Sequence, residues 1–382
     1  MNINKHLILL FSVLFFLFAV SVSSGCFRKN ESDVKSVVRN ELDQLKNLDS
    51  ETTQKYIPYT ELFPDATENT DLTDEINKTF SLFFRKFNYK ISDVIVGTTN
   101  HSATVSVKLT TIDSKVLARD FKAELLRTQI TESAQAQKGN IKDSSRSLEA
   151  HYLILNHLLN TNDYDTAETD CNIQLVNTGN DKKEKWKIQR TNSLEDDLVG
   201  GLMNDLTDPD ILSPEDTILV YLNTLKNMSA EELGNYLNAD SIISTEDPAK
   251  ISLAEALVKQ VHSTFDYSIG ETTVSGYTAT VTANITTFDS DAILENYQKE
   301  LDSYLASVDA VIDGAQKRYE KSYSLLLEYI EENTATKTVE TTFTLINDGA
   351  SWKLEDAGTV FGQALFGTLS SSPVEDKQET NG

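Results

Sequence analysis

Cysteine is almost missing from this chain: Cys26 and Cys171 are the two among 382 residues. So few exclude the dense disulfide framework with which small exported domains replace a core. Histidine is nearly as scarce, with five in all, one of them at position 6. His151 and His157 stand six apart, which puts them on different faces of a helix, and His101 and His262 are isolated. A two-histidine metal motif needs a spacing of four, so no metal site is predicted. Basic residues are in deficit, with 34 Lys and Arg against 59 Asp and Glu and a formal charge of −25. Such a surface favours solubility and disfavours nucleic acid and anionic lipid as partners. A G-x-S-x-G elbow is lacking as well, and with it the usual setting of a nucleophilic serine.

What is present begins with one long apolar run. Lys5 is followed by uncharged residues 7–22, then by Ser23, Ser24, Gly25 and Cys26, the three parts of a secretory signal. The sixteen-residue run is shorter than the roughly 20 residues a membrane-spanning helix needs. Ser24, Gly25 and Cys26 resemble the end of the bacterial lipoprotein leader, while Ser23 departs from the aliphatic residue usual at that place. The resemblance implies that residues 1–25 are removed as a signal peptide and that Cys26 is the lipid attachment site, carrying a thioether-linked diacylglycerol. Two acyl chains suffice for stable attachment, which would hold the protein on the extracytoplasmic face of the cell membrane. Cys171 would then have no partner for a disulfide, and fold stability must come from the core. Loss of the leader, which holds one lysine and no acid, moves the formal charge from −25 to −26. Residues 26–32 follow as a polar tether.

The rest of the chain is written twice. SATVSVKLTTIDS (102–114) aligns without gaps on TATVTANITTFDS (278–290), with seven identities in thirteen positions. Flanking segments pair in the same order: 40–56 with 220–236, FNY (87–89) with FDY (265–267), and CNIQLVNTG (171–179) with TTFTLINDG (341–349). Trp186 answers Trp352, and these are the chain's two tryptophans. LTDPDILSPEDT (206–217) interrupts the apolar pattern with two prolines and several acids, as a linker does. The expected domains are therefore 33–205 and 214–370, with a linker at 206–213 and a polar tail at 371–382.

Within the second copy, Ile218, Tyr221, Leu222 and Leu225 recur at helical spacing, and 251–265 gives a second helix. Ala279, Val281, Ala283 and Ile285 alternate with polar residues as in a strand with one buried face, a phase kept by Ala103, Val105, Val107 and Leu109. From 290 to 333 the period becomes three and four. Unbroken, that helix would extend about 65 Å at 1.5 Å per residue, so a bend is expected at Gly314, with Gly139-Asn140 its counterpart. The predicted class is α+β: two tandem repeats of a helix-helix-strand-strand-long helix-strand-strand unit, each with an antiparallel sheet packed on helices. This order and the Trp-Lys strand resemble the cone-shaped nuclear transport factor 2-like, or cystatin-related, fold, which recurs in extracytoplasmic lipoproteins of unassigned function.

No catalytic residue can be nominated from these patterns, and no cofactor is predicted. Cys171 lies in a predicted strand where the second copy has threonine, with nothing basic nearby to lower its pKa. Gly200-Gly201 follows a helical stretch instead of opening one, as at a helix end and not a phosphate cradle. Tyr297, Tyr304, Tyr319 and Tyr323 at three-and-four spacing read as a packed interface with hydroxyls at the rim. Asp113 and Asp289 stand where a strand gives way to the long helix, the place of a helix cap. The expectation is a membrane-tethered, non-catalytic binding or scaffold module facing an envelope protein. Capture of a small apolar ligand in a cone cavity is the alternative, and catalysis by a buried carboxylate ranks third.

Overall fold

The computed structural model describes residues 26–370, apart from 49, 58–61, 64–65, 67–71, 98, 100, 137–143, 180–183 and 238–247. The leader, the polar tail at 371–382 and Gly139-Asn140 lie outside the described residues.

The first repeat runs α1 (Cys26–Lys46), α2 (Ser50–Tyr56), α3 (Thr73–Phe83), β1 (Asn88–Val96), β2 (Ser102–Ile112), α4 (Ser114–Ala136), α5 (Leu148–Thr161), β3 (Thr166–Asn177), β4 (Trp186–Ile188), α6 (Asn192–Leu198) and α7 (Leu202–Thr207). The second answers with α8 (Pro214–Asn227), α9 (Ala230–Tyr236), α10 (Pro248–Thr264), β5 (Asp266–Ser275), β6 (Thr278–Phe288), α11 (Ser290–Leu305), α12 (Val308–Ile312), α13 (Ala315–Glu332), β7 (Thr336–Asn347), β8 (Trp352–Leu354) and α14 (Ala357–Phe366). Each copy builds one four-stranded antiparallel sheet whose strands lie in chain order. The class is α+β, and it occurs twice in tandem.

Alternation in the sequence decides which face of each sheet is buried. Val105, Val107 and Leu109 of β2, and Val281, Ala283 and Ile285 of β6, are almost wholly removed from water. Their neighbours on the opposite face pair across strands instead: Thr104 donates to Gln174 at 2.9 Å, Ser106 to Asn172 at 2.8 Å, and Thr286 meets Thr338 at 2.8 Å. Even the irregularities repeat. β1 bulges between Ile91 and Asp93, and β5 between Ile269 and Thr272. At the second bulge a Cβ on Gly270 would come within 2.5 Å of the Thr282 hydroxyl, so glycine is what lets the strands approach there.

Helix boundaries follow capping chemistry. Ser213 accepts from the Asp216 amide at 3.0 Å, with Pro214 at the first helical position and Glu215 and Asp216 near the positive end of the dipole. Ser229 and Glu232 form a reciprocal capping box on α9. The long helix of the second repeat is broken at two places. Gly314 (φ 51°) begins α13, as expected for a bend, and a further break at Ala306 and Ser307 separates α11 from α12, where Ser307 caps the new helix. The polar segment expected as a tether is helical from Cys26 onward, as the first turns of α1.

The chain folds into two compact units that alternate along the sequence. One takes the described part of Met1–Leu62 with Ile76–Ser114 and Asp163–Met203; the other takes Phe63–Glu75, Lys115–Asn162 and Asn204–Gly382 as far as described. In the first unit α1 packs on β1, β2 and β4, and α6 packs on β2 and β3. In the second, α8, α10 and α14 pack against the sheet of β5 to β8, and α13 lies along α10 and α11. The second unit also holds α4, whose Ile130 and Ala134 belong to the same core as Val281, Phe343 and Phe361. Asp210, within the expected linker, is fixed here too: its carboxylate accepts from the Trp352 indole at 2.8 Å and from Asn347 at 3.1 Å.

Candidate functional site

α1 is amphipathic. Val34, Val38, Leu42 and Leu45 are buried, while Lys35, Arg39, Asp43 and Lys46, spaced four, four and three apart, share another face. These four side chains line a cleft of about 310 Å³ together with Asn88, Tyr89 and Ile91 of β1. Tyr89 donates its hydroxyl to Asp43 at 2.6 Å, and Lys46 donates to the Asn88 side-chain oxygen at 2.9 Å. Burial and the Asp43 carboxylate push the Tyr89 hydroxyl up to about 12, so it stays protonated and is a donor. The cleft therefore carries three cations against one carboxylate that is already occupied.

The residues singled out from the sequence are placed as follows. Cys26 is the first residue of α1. Cys171 is buried on β3 with Asp197 of α6 as its acceptor, and burial followed by that negative neighbour holds the thiol protonated. Burial also raises the Asp197 carboxyl, partly offset by the thiol. His151 is buried on α5 with its ring 4.8 Å from Phe63 and 5.6 Å from Phe121, and burial depresses its pKa to about 4. Among the described residues no group of three or more His, Cys, Asp or Glu could hold a metal ion. Gly200 and Gly201 have positive φ at the end of α6, and the Gly200 carbonyl accepts from Ser114 at 2.6 Å, an arrangement that ends a helix and cradles no phosphate.

Asp289 caps α11, accepting from the amides of Asp291 and Ala292 at 3.1 and 3.2 Å. Its equivalent Asp113 occupies the corresponding turn, and each backbone amide donates across to the start of the next strand segment, at Ala335 and Asp165 respectively. Two of the tyrosines tie segments of the second repeat's broken long helix together, Tyr297 meeting Ser322 at 2.6 Å and Tyr304 donating to Asp313 at 3.0 Å, while the rings of Tyr319 and Tyr323 lie 4.6 Å apart on α13 itself. The sequence alone did not reveal the basic cleft. The signal that could have found it is the repeat alignment, in which Asn88 of the first copy stands where the second has Asp266.

Among the described residues no helix is long and apolar enough to cross a membrane. No family model matches the chain, and neither does any curated protein. Among solved structures, similarity is found to ycdA of Bacillus subtilis, provisionally assigned as a lipoprotein, at 10% identity and a TM-score of 0.28, over 73% of this chain and 96% of that one.

Proposed function

We propose that this protein is a lipoprotein, anchored through Cys26 to the extracytoplasmic face of a bacterial cell membrane, where its two α+β repeats bind a partner without catalysing a reaction. The observation that carries the reading is the leader, an apolar run too short to span followed by Ser24, Gly25 and Cys26. Its acidic surface suits a module that stays soluble beside a negatively charged envelope. The same reading assigns each repeat to the cone-shaped nuclear transport factor 2-like class. What supports this is the element order and the antiparallel sheet that ends in Trp186-Lys187 and Trp352-Lys353.

The test is Cys26→Ala in the native host, followed by detergent-phase partition and mass spectrometry of the N-terminal peptide. The wild type should enter the detergent phase with an acylated Cys26, and the variant should lose both properties. A variant that stays membrane-bound to the same extent would reject lipidation and return the leader to the status of an uncleaved anchor.

A further inference from the structure

The two repeats share the scaffold of the α1 cleft but not its charge. On α1 and α8, Val38, Leu42 and Leu45 correspond to Ile218, Leu222 and Leu225, each pair buried. In that register Lys35, Arg39, Asp43 and Lys46 correspond to Glu215, Leu219, Asn223 and Lys226, and on the strands Asn88 and Tyr89 correspond to Asp266 and Tyr267. The second copy thus has one cation and two carboxylates, and its cation is neutralised: Lys226 pairs with Asp266 at 2.6 Å. The first copy has three cations, and neutral Asn88 replaces the acid that would face Lys46. Asp43, its one carboxylate, is engaged by the Tyr89 hydroxyl. Among the described residues none of Lys35, Arg39 and Lys46 takes part in an ion pair.

Concentrated positive charge in a chain of formal charge −25 is a local reversal. Like charges four apart on a helix repel, costing about 0.2–0.5 kcal/mol per pair, and an anion seated between them removes that cost. We propose that the cleft binds a phosphate-bearing anion, either a lipid headgroup or free phosphate. The Arg39 guanidinium offers a fork that matches two phosphate oxygens, Lys35 and Lys46 act as flanking point charges, and the protonated Tyr89 borders the same cleft. A volume of about 310 Å³ leaves room for a substituent on the phosphate. Lys35 is nine residues beyond Cys26 on one continuous helix, about 14 Å along its axis at 1.5 Å per residue. The site is built from these side chains and stands whether or not Cys26 is acylated.

The test uses the full chain in neutral maltoside micelles at low salt, titrated with inorganic phosphate by calorimetry. Single-site saturation is expected, with Arg39→Glu weakening it by at least about tenfold, as befits a lost charge-assisted bond. Asn88→Asp, which recreates the acid partner seen in the second copy, should weaken it about threefold by neutralising Lys46. Both positions are exposed, and circular dichroism checks that the variants fold. A second arm adds phosphatidylglycerol or phosphatidylcholine to the micelles and follows the phosphorus resonance. Broadening of phosphatidylglycerol alone, lost in Arg39→Glu, assigns the site to an anionic headgroup; phosphate saturation without that broadening assigns it to free phosphate. Absence of both signals, or signals of equal size in wild type and Arg39→Glu, would overturn the proposal.

Discussion

His151 illustrates how burial decides what a titratable group can do. Its ring sits against Phe63 and Phe121, its Nδ1 is buried without a hydrogen-bond partner, and Lys122 adds a like charge to the cost of protonation. The folded-state pKa near 4 lies below the ordinary 6.5, so as pH falls through that window the unfolded chain takes up the proton and the folded chain resists it. Stability is therefore present above pH 6.5 and drains away towards pH 4, by on the order of 3 kcal/mol at most. His151→Phe keeps an aromatic ring in an aromatic setting and removes the titration. Thermal denaturation at pH 7 and pH 4.5 should show a smaller drop in Tm for the variant than for the wild type. Equal drops would assign the acid sensitivity to carboxylates elsewhere. The sequence did not show the burial of this histidine, because Phe63 lies far from it in the chain.

Gly314 is a test of how elements end. It holds φ 51° and ψ 173° at the start of α13, a region in which an L side chain is strained, and nothing lies within 4 Å of where a Cβ would stand. The cost of Gly314→Ala is thus purely a backbone cost, about 1–3 kcal/mol. Hydrogen exchange should show amides of α12 and the first turn of α13 losing protection while β6 and β7 keep theirs. Undiminished protection at α12 would mean that the turn has an alternative geometry of equal energy. A bend at Gly314 was legible because glycine advertises it. The break at Ala306 and Ser307 was not, because neither residue is a helix breaker and the break depends on Ser307 finding the Ala310 amide, at 3.3 Å. The strands were the most legible elements, since period-two alternation in β2 and β6 fixes both the buried face and the register. The cleft on α1 was hidden by an opposite effect. Three lysine and arginine side chains at helical spacing are ordinary on any solvated face, and their meaning emerges from the uncharged Asn88 brought beside Lys46 by the pairing of α1 with β1.

Duplication written along a chain does not require that each copy keep its own helices. α4 is encoded in the first repeat, before the proline-containing stretch at 206–217, yet Ile130 and Ala134 are buried in a core formed otherwise by the second repeat. Linker composition marks where the chain is irregular, while the extent of a unit is set by which apolar faces find each other, and that choice is tertiary. Asp210 points the same way, since its bonds to Trp352 and Asn347 make part of the expected linker a member of the second unit. The consequence can be measured with one substitution in the intact chain. Ile130, 3% exposed, should cost about 2–4 kcal/mol when cut back to alanine, as buried isoleucines do. If α4 belongs to the second unit, that loss must be felt by β6 and β7, more than 140 residues later in the sequence. Amides such as Val281 and Ala283 should then exchange faster by about a hundredfold wherever exchange proceeds through unfolding of that unit. A change confined to residues 33–205, with β6 and β7 as protected as before, would show that each repeat unfolds on its own and that α4 contributes no stability to the second core.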